Sequence, residues 1–112
     1  MIASGKLADA ADYSGFLHRH RMCAVYFSGP DCHVCAALRP KLFELLRSRF
    51  PKLAVAEVDC AASQALAAQQ TVFTIPTLIV YVEGKELQRK ARAFSLAELA
   101  SELERPYVML FS

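Results

Sequence analysis

Two cysteines stand three residues apart in Cys32-His33-Val34-Cys35, just beyond the breakers Ser28-Gly29-Pro30. The run Met22–Phe27 before them reads as a buried strand, and the stretch after Asp31 takes helical spacing, so the pair lies where a strand gives way to a helix. Two thiols so placed come within disulfide reach, and the free N–H groups of a helix's first turn favour a thiolate on the first of them. Cys32 is therefore the candidate nucleophile. Cys35, one turn in and more shielded, is the candidate resolving thiol, which would attack the Cys32 sulfur of a mixed disulfide and release the product. His33 reads either as an exposed first-turn residue or as a partial positive charge that stabilises the Cys32 thiolate and makes the disulfide a stronger oxidant. A lone CxxC is also half of a zinc site. A closed zinc site wants a second ligand pair at short spacing, and the only further candidates are Cys60, His18, His20 and His33.

Two more cysteines need separate readings. Cys23 begins the strand and behaves as a small buried hydrophobe. Cys60 lies just past the second strand, on the sheet edge where α/β sites assemble, which admits a third redox thiol or an intermolecular link. In Thr74-Ile75-Pro76-Thr77 a proline directly precedes a strand, where it cannot donate a ladder hydrogen bond and can adopt the cis form.

The elements that must position these residues follow in order. Asp12 to Arg21 predicts a short helix, weakened by Gly15. After Asp31, Leu38, Leu42, Leu45, Leu46 and Phe50 form one stripe of a long helix, opposite Arg39, Lys41, Arg47 and Arg49; Pro40 should kink it and Pro51 close it. Leu53–Val58 predicts a second strand and Ala61–Gln70 a short helix. Thr77–Val82 and Lys85–Ala91 flank Glu83-Gly84, a hairpin signal because Gly84 can take the positive φ of a tight turn. Ser95-Leu96-Ala97-Glu98 is a capping box opening a last helix with Leu96, Leu99 and Leu103 on its apolar face. The apolar tail Tyr107–Phe111 either folds back onto the domain or covers a partner. Strands alternating with helices argue for an α/β mixed sheet of about four strands with helices on both faces.

Composition sets the outer bounds. With 112 residues, 54% apolar and 21% charged, residues 1–112 suit one folded domain and exclude a disordered chain. A net charge of +2 is too small and scattered to argue for a nucleic acid or membrane partner. The start of the chain is broken by Gly5, Lys6, Asp9 and Asp12 and does not read as a secretory signal, which leads to the expectation of a cytoplasmic protein whose close cysteine pair is catalytic or metal-binding rather than structural.

The strand–CxxC–helix junction, Pro40 five residues beyond Cys35, Ile75-Pro76-Thr77 before a strand and the Glu83-Gly84-Lys85 hairpin together resemble the thioredoxin family, over roughly residues 22–105. The resemblance implies the thioredoxin fold, thiol–disulfide exchange through Cys32 and Cys35, and a cis Ile75–Pro76 bond packed against the cysteine pair. It implies also that Ile75 offers its backbone to an extended substrate, and that the proline helps to keep metal off the thiols. No metal or bound cofactor is expected. Implied partners are a disulfide-containing protein or small thiol as substrate and a reductase or glutathione as electron partner.

The chain also departs from the family. Asp31 precedes Cys32 where tryptophan is usual, His33-Val34 replaces Gly-Pro, and there is no tryptophan at all. Tyr26 stands where the family usually buries an Asp, and Glu57 where a Lys is usual. The expectation here is that Glu57, raised in pKa by burial, accepts the Cys35 proton with Tyr26 hydrogen-bonded beside it. Arg92 stands where a Gly usually lets substrate backbone approach, and with Arg89 and Lys90 it reads as a solvated surface or as a rim favouring acidic partners or a carboxylate such as glutathione's. The N-terminus reads as too short for the extra first strand of a full thioredoxin. The competing function is a protein-binding module using the groove near Pro76 and Arg92, with slow or regulatory cysteines.

Overall fold

The computed structural model describes all of residues 1–112. Its central element is β2 (Met22–Ser28), in which Met22 to Phe27 are all buried. Side chains alternate across a strand, so Cys23, Val25 and Phe27 enter one apolar cluster while Met22, Ala24 and Tyr26 enter another on the opposite face. A strand covered on both faces is apolar throughout, which is why this run shows no polar alternation. On one side β2 pairs in parallel with β3 (Ala54–Asp59), and on the other it pairs antiparallel with β4 (Thr77–Val82). β4 turns through Glu83 and Gly84 into β5 (Lys85–Ala91). Both turn residues have positive φ, 51° and 78°, as a two-residue hairpin matched to the strand twist requires.

The sheet has five strands rather than about four. Residues Ile2–Lys6 form β1, parallel to β3 at the edge, giving the order β1-β3-β2-β4-β5. None of its side chains is buried; it is held by backbone bonds such as Ile2 N–H to Leu53 O (2.9 Å), with Leu7 N–H to Glu57 O (2.8 Å) just beyond it. Hydrophobic patterning has nothing to register in such a strand.

Helix α1 (Ala10–Arg19) begins two residues before the expected Asp12 and packs Tyr13 and Phe16 onto the first cluster; Asp9 caps it by accepting the Asp12 N–H. On the other face lie α2 (His33–Arg49), burying Leu42 and Leu46, and α4 (Leu96–Phe111), burying Leu99 and Leu103. Ser95 caps α4 through the Glu98 N–H, as the capping box requires. The tail continues α4 and folds back: Tyr107, Leu110 and Phe111 pack on the second cluster, and the Tyr107 hydroxyl accepts the Lys52 N–H at 2.9 Å. The short helix α3 (Gln64–Gln69) begins later than expected because the Asp59 carboxylate accepts the N–H groups of Ala61 and Ala62, holding that segment in a turn. No helix is long and apolar enough to cross a membrane. The C-terminal ends of β2 and β3 open on the same rim, where parallel sheets assemble their sites.

Candidate active site

β2 delivers the chain to that rim, and Pro30 and Asp31 carry it into the first turn of α2. Cys32 is the N-cap of this helix: its sulfur accepts the Cys35 N–H at 3.2 Å, taking one of the donors that a helix start leaves unpaired. Cys32 and Cys35 are disulfide-bonded, with Cα atoms 5.2 Å apart. Their exposures differ, Cys32 being half-buried and Cys35 only 3% exposed. His33 is the exposed first residue of the helix.

Five residues on, Pro40 lies inside α2 and has no N–H for the carbonyl one turn earlier. The helix's first turn is supported from the sheet instead. The buried Tyr26 hydroxyl donates to the Cys35 carbonyl at 2.8 Å. Burial, with the Glu57 charge adding to it, pushes the Tyr26 phenol up to about 12, so it stays protonated across the neutral range.

This corrects the expected Tyr26–Glu57 hydrogen bond. The two residues are direct neighbours in the β2–β3 register, but Tyr26 reaches to α2, and Glu57 is taken by Arg39. Arg39 Nε donates to one carboxylate oxygen at 2.8 Å and Nη2 to the other at 2.7 Å. Glu57, with 15% of its side chain exposed, is half of a bidentate ion pair and not the isolated buried acid expected. The pair lines an open cavity of about 430 Å³ shared with Cys32, Cys35, Lys6 and Asp59. Arg39 is the residue that sequence reasoning missed: it lies four residues after Cys35 on the helix face assigned to solvent, and no local spacing links it to Glu57.

Ile75 and Pro76 precede β4 beside the end of β2, where Thr77 pairs with Phe27, and the bond between them is cis. Pro76 is buried and Ile75 half-buried, its Cδ1 only 3.0 Å from where a Cβ on Gly29 would stand, so a side chain at Gly29 would push on Ile75. Arg92 donates its backbone N–H to Pro76 O at 2.7 Å, and its own φ of 63° is a left-handed conformation that a residue with a Cβ adopts only at a cost. Its side chain is exposed at the rim.

Cys60 is half-buried in a shallow groove with Phe73, Thr74 and Ile75, and burial together with Asp59 raises its thiol. Cys23 is buried and pushed up to about 12. His18 and His20 lie away from the thiols on α1 and just after it, where His18 Nδ1 bonds Ser14 O and His20 packs on Phe16. No group of three or more His, Cys, Asp or Glu side chains converges to hold a metal.

Comparison with known proteins agrees with this geometry. The sequence profile of the family described as Thioredoxin matches residues 6–105. The chain is 30% identical over 92 residues to the "Thioredoxin-like protein YdfQ" of Bacillus subtilis, covering 82% of this chain and 81% of that one. It is 31% identical over 101 residues to a thioredoxin of Mycobacterium tuberculosis, covering 90% and 87%. The crystal structure of Fasciola hepatica thioredoxin superposes with a TM-score of 0.78 at 28% identity, covering 96% of this chain and 99% of that one. With that profile over most of its length and two thiols joined at the head of α2, the chain belongs to the thioredoxin family and is a thiol–disulfide oxidoreductase.

Proposed function

We propose that Cys32 is the attacking thiolate and Cys35 the resolving thiol, that Glu57 takes the Cys35 proton, and that the substrate is a protein or small-thiol disulfide reduced in the cytoplasm. The observation that carries the assignment is the asymmetry of the pair. Cys32 is the more exposed and its sulfur accepts a helix-start N–H, which favours a thiolate there, whereas Cys35 is shielded beneath it.

In the reducing direction the Cys32 thiolate attacks a substrate disulfide and one substrate sulfur leaves with the bonding pair, to be protonated by solvent. Cys35 S–H then gives its proton to Glu57, its sulfur bonds to that of Cys32, and the second substrate sulfur leaves. When it is protonated, the exposed imidazole of His33 stabilises the neighbouring Cys32 thiolate and raises the potential of the couple. An extended substrate lies along Ile75 and Pro76, and the Arg92 guanidinium at the rim favours substrates with a carboxylate near the disulfide. Electrons come from a reductase or from glutathione, and no bound cofactor takes part.

The test is a titration against glutathione with thiol trapping, read by intact mass on the wild type, Cys32→Ser and Cys35→Ser. A two-electron couple confined to Cys32 and Cys35 is expected, with Cys35→Ser accumulating a mixed disulfide on Cys32. A Cys32→Ser protein that exchanges as fast as the wild type would overturn the assignment.

A further inference from the structure

Arg39 is bound up with the resolving thiol through two separate chains of contact. One runs through Glu57, which the guanidinium holds by both oxygens beside the cavity that Cys35 also lines. The other runs through Phe43. The guanidinium lies over that ring, 4.3 Å from its centroid, and the ring meets Tyr26 edge-on at 5.9 Å, while Tyr26 donates to the Cys35 carbonyl. Arg39 is thus fixed on one side by an aromatic face and on the other by a carboxylate fork. Such planar, bidentate fixing is specific to a guanidinium.

We propose that Arg39 is a positioning residue for the resolving step, acting through Glu57. An ionised carboxylate offers about four lone-pair sites, and the fork occupies two, so the other two keep a fixed direction for a proton. The charge of Arg39 also offsets that of Glu57, so the negative charge growing on the Cys35 sulfur faces a neutral pair rather than a bare carboxylate. The other charged or titratable groups around this cavity are Lys6 from the end of β1, Asp59 at the end of β3 and Tyr26 from β2; the cystine closes the α2 side. Tyr26 keeps its proton in the neutral range and cannot be the acceptor.

In chemical terms the step moves one proton from Cys35 S–H to a Glu57 oxygen, directly or through one water. The Cys35 sulfur pair then forms the Cys32–Cys35 bond as the Cys32–substrate bond breaks, and the substrate sulfur departs with the electron pair of the broken bond, to be protonated by solvent. Arg39 keeps its own protons throughout.

The proposal rests on Glu57 as acceptor, and the experiment separates the two. Reduced protein carrying Cys60→Ser is mixed with 5,5′-dithiobis(2-nitrobenzoate) in a stopped-flow instrument from pH 5 to 9. Cys32 releases the first thionitrobenzoate and closure by Cys35 releases the second. Arg39→Met should slow the second release about tenfold at pH 7 and move its pH midpoint up by about one unit, the low end for loss of an adjacent opposite charge. Arg39→Lys, which keeps the charge and loses the fork, should lie between it and wild type. In a Glu57→Gln background the Arg39→Met effect should disappear, because the two act as one unit.

If Glu57→Gln alters the profile but Arg39→Met and Arg39→Lys leave it at wild type, Arg39 has no part and the proposal fails while the acceptor stands. If Arg39→Met acts as strongly without Glu57, the coupling fails. An unchanged profile in Glu57→Gln removes the acceptor itself, and the proposal with it. Thermal melts of the oxidised forms show whether each variant folds, and Arg39→Lys retains enough of the native contact to decide the matter if Arg39→Met does not fold.

Discussion

Tyr26→Phe removes one oxygen from the centre of the molecule and should leave two signatures with opposite dependence on pH. At neutral pH the variant loses the buried bond from the Tyr26 hydroxyl to the Cys35 carbonyl. A neutral buried hydrogen bond contributes about 1 kcal/mol net, and leaving its acceptor short of a partner raises the cost to about 1.5 kcal/mol. For a chain of 112 residues that is a fall of about 6 °C in Tm. Above pH 10 the balance shifts. The phenol ionises near 10 when unfolded and is pushed up to about 12 when folded. Between these values the unfolded state has lost a proton that the folded state keeps, so wild-type stability falls with rising pH by about 1.4 kcal/mol per unit. The contribution is fully present below pH 10 and is lost as pH climbs through 12. The phenylalanine side chain of the variant has no proton to lose, so the deficit of the variant should shrink above pH 10, vanish near pH 11 and reverse beyond it. Tyr13, Tyr81 and Cys23 are common to both proteins and cancel in the difference. Urea unfolding of both oxidised proteins at pH 7, 9, 10, 11 and 12 gives the curve directly. A difference that stays constant from pH 9 to 12 would refute the buried-phenol reasoning, and equal stability at pH 7 would refute the role of the hydroxyl in supporting the first turn of α2.

Other perturbations test the remaining parts. In native reduced protein at pH 7.5, iodoacetamide should label Cys32 first and Cys60 slowly, while Cys23, buried and pushed up to about 12, should be labelled only after unfolding; peptide mapping that finds Cys23 modified early would contradict its burial. Leu42→Ala empties a fully buried position between α2 and the sheet and should cost about 3 kcal/mol in urea unfolding without changing the m-value. Arg92→Gly relieves a left-handed residue at a cost in chain entropy of similar size, so Tm should hold or rise slightly while KM for acidic peptide disulfides rises several-fold and KM for neutral ones does not. Equal effects on acidic and neutral peptides would remove the guanidinium from substrate selection.

What sequence could and could not disclose follows from where each signal resides. The cysteine pair, the proline before β4, the Glu83-Gly84 turn and the Ser95 cap are all local: a few adjacent residues carry both the chemistry and the geometry, and the structure puts each in the expected place. β1 has no such signal, because an edge strand with no buried side chain is defined only by the carbonyls and N–H groups of β3 beside it. The partners of Glu57 and Tyr26 lie between these extremes. Parallel pairing of the two strands brings the residues side by side, and from that alone a bond between them is the natural expectation. The outcome is decided by a third element. α2 crosses the sheet so that its apolar stripe meets the core, and the same rotation brings Cys35 above Tyr26 and lowers Arg39, one turn later, onto Glu57. A residue on the face read as solvated thereby becomes the counter-charge at the base of the site. Tyr26 and Glu57 are then both partnered by one element, α2. Tyr26 supports the helix start, and the carboxylate at 57 is accommodated because α2 supplies the cation that pairs with it.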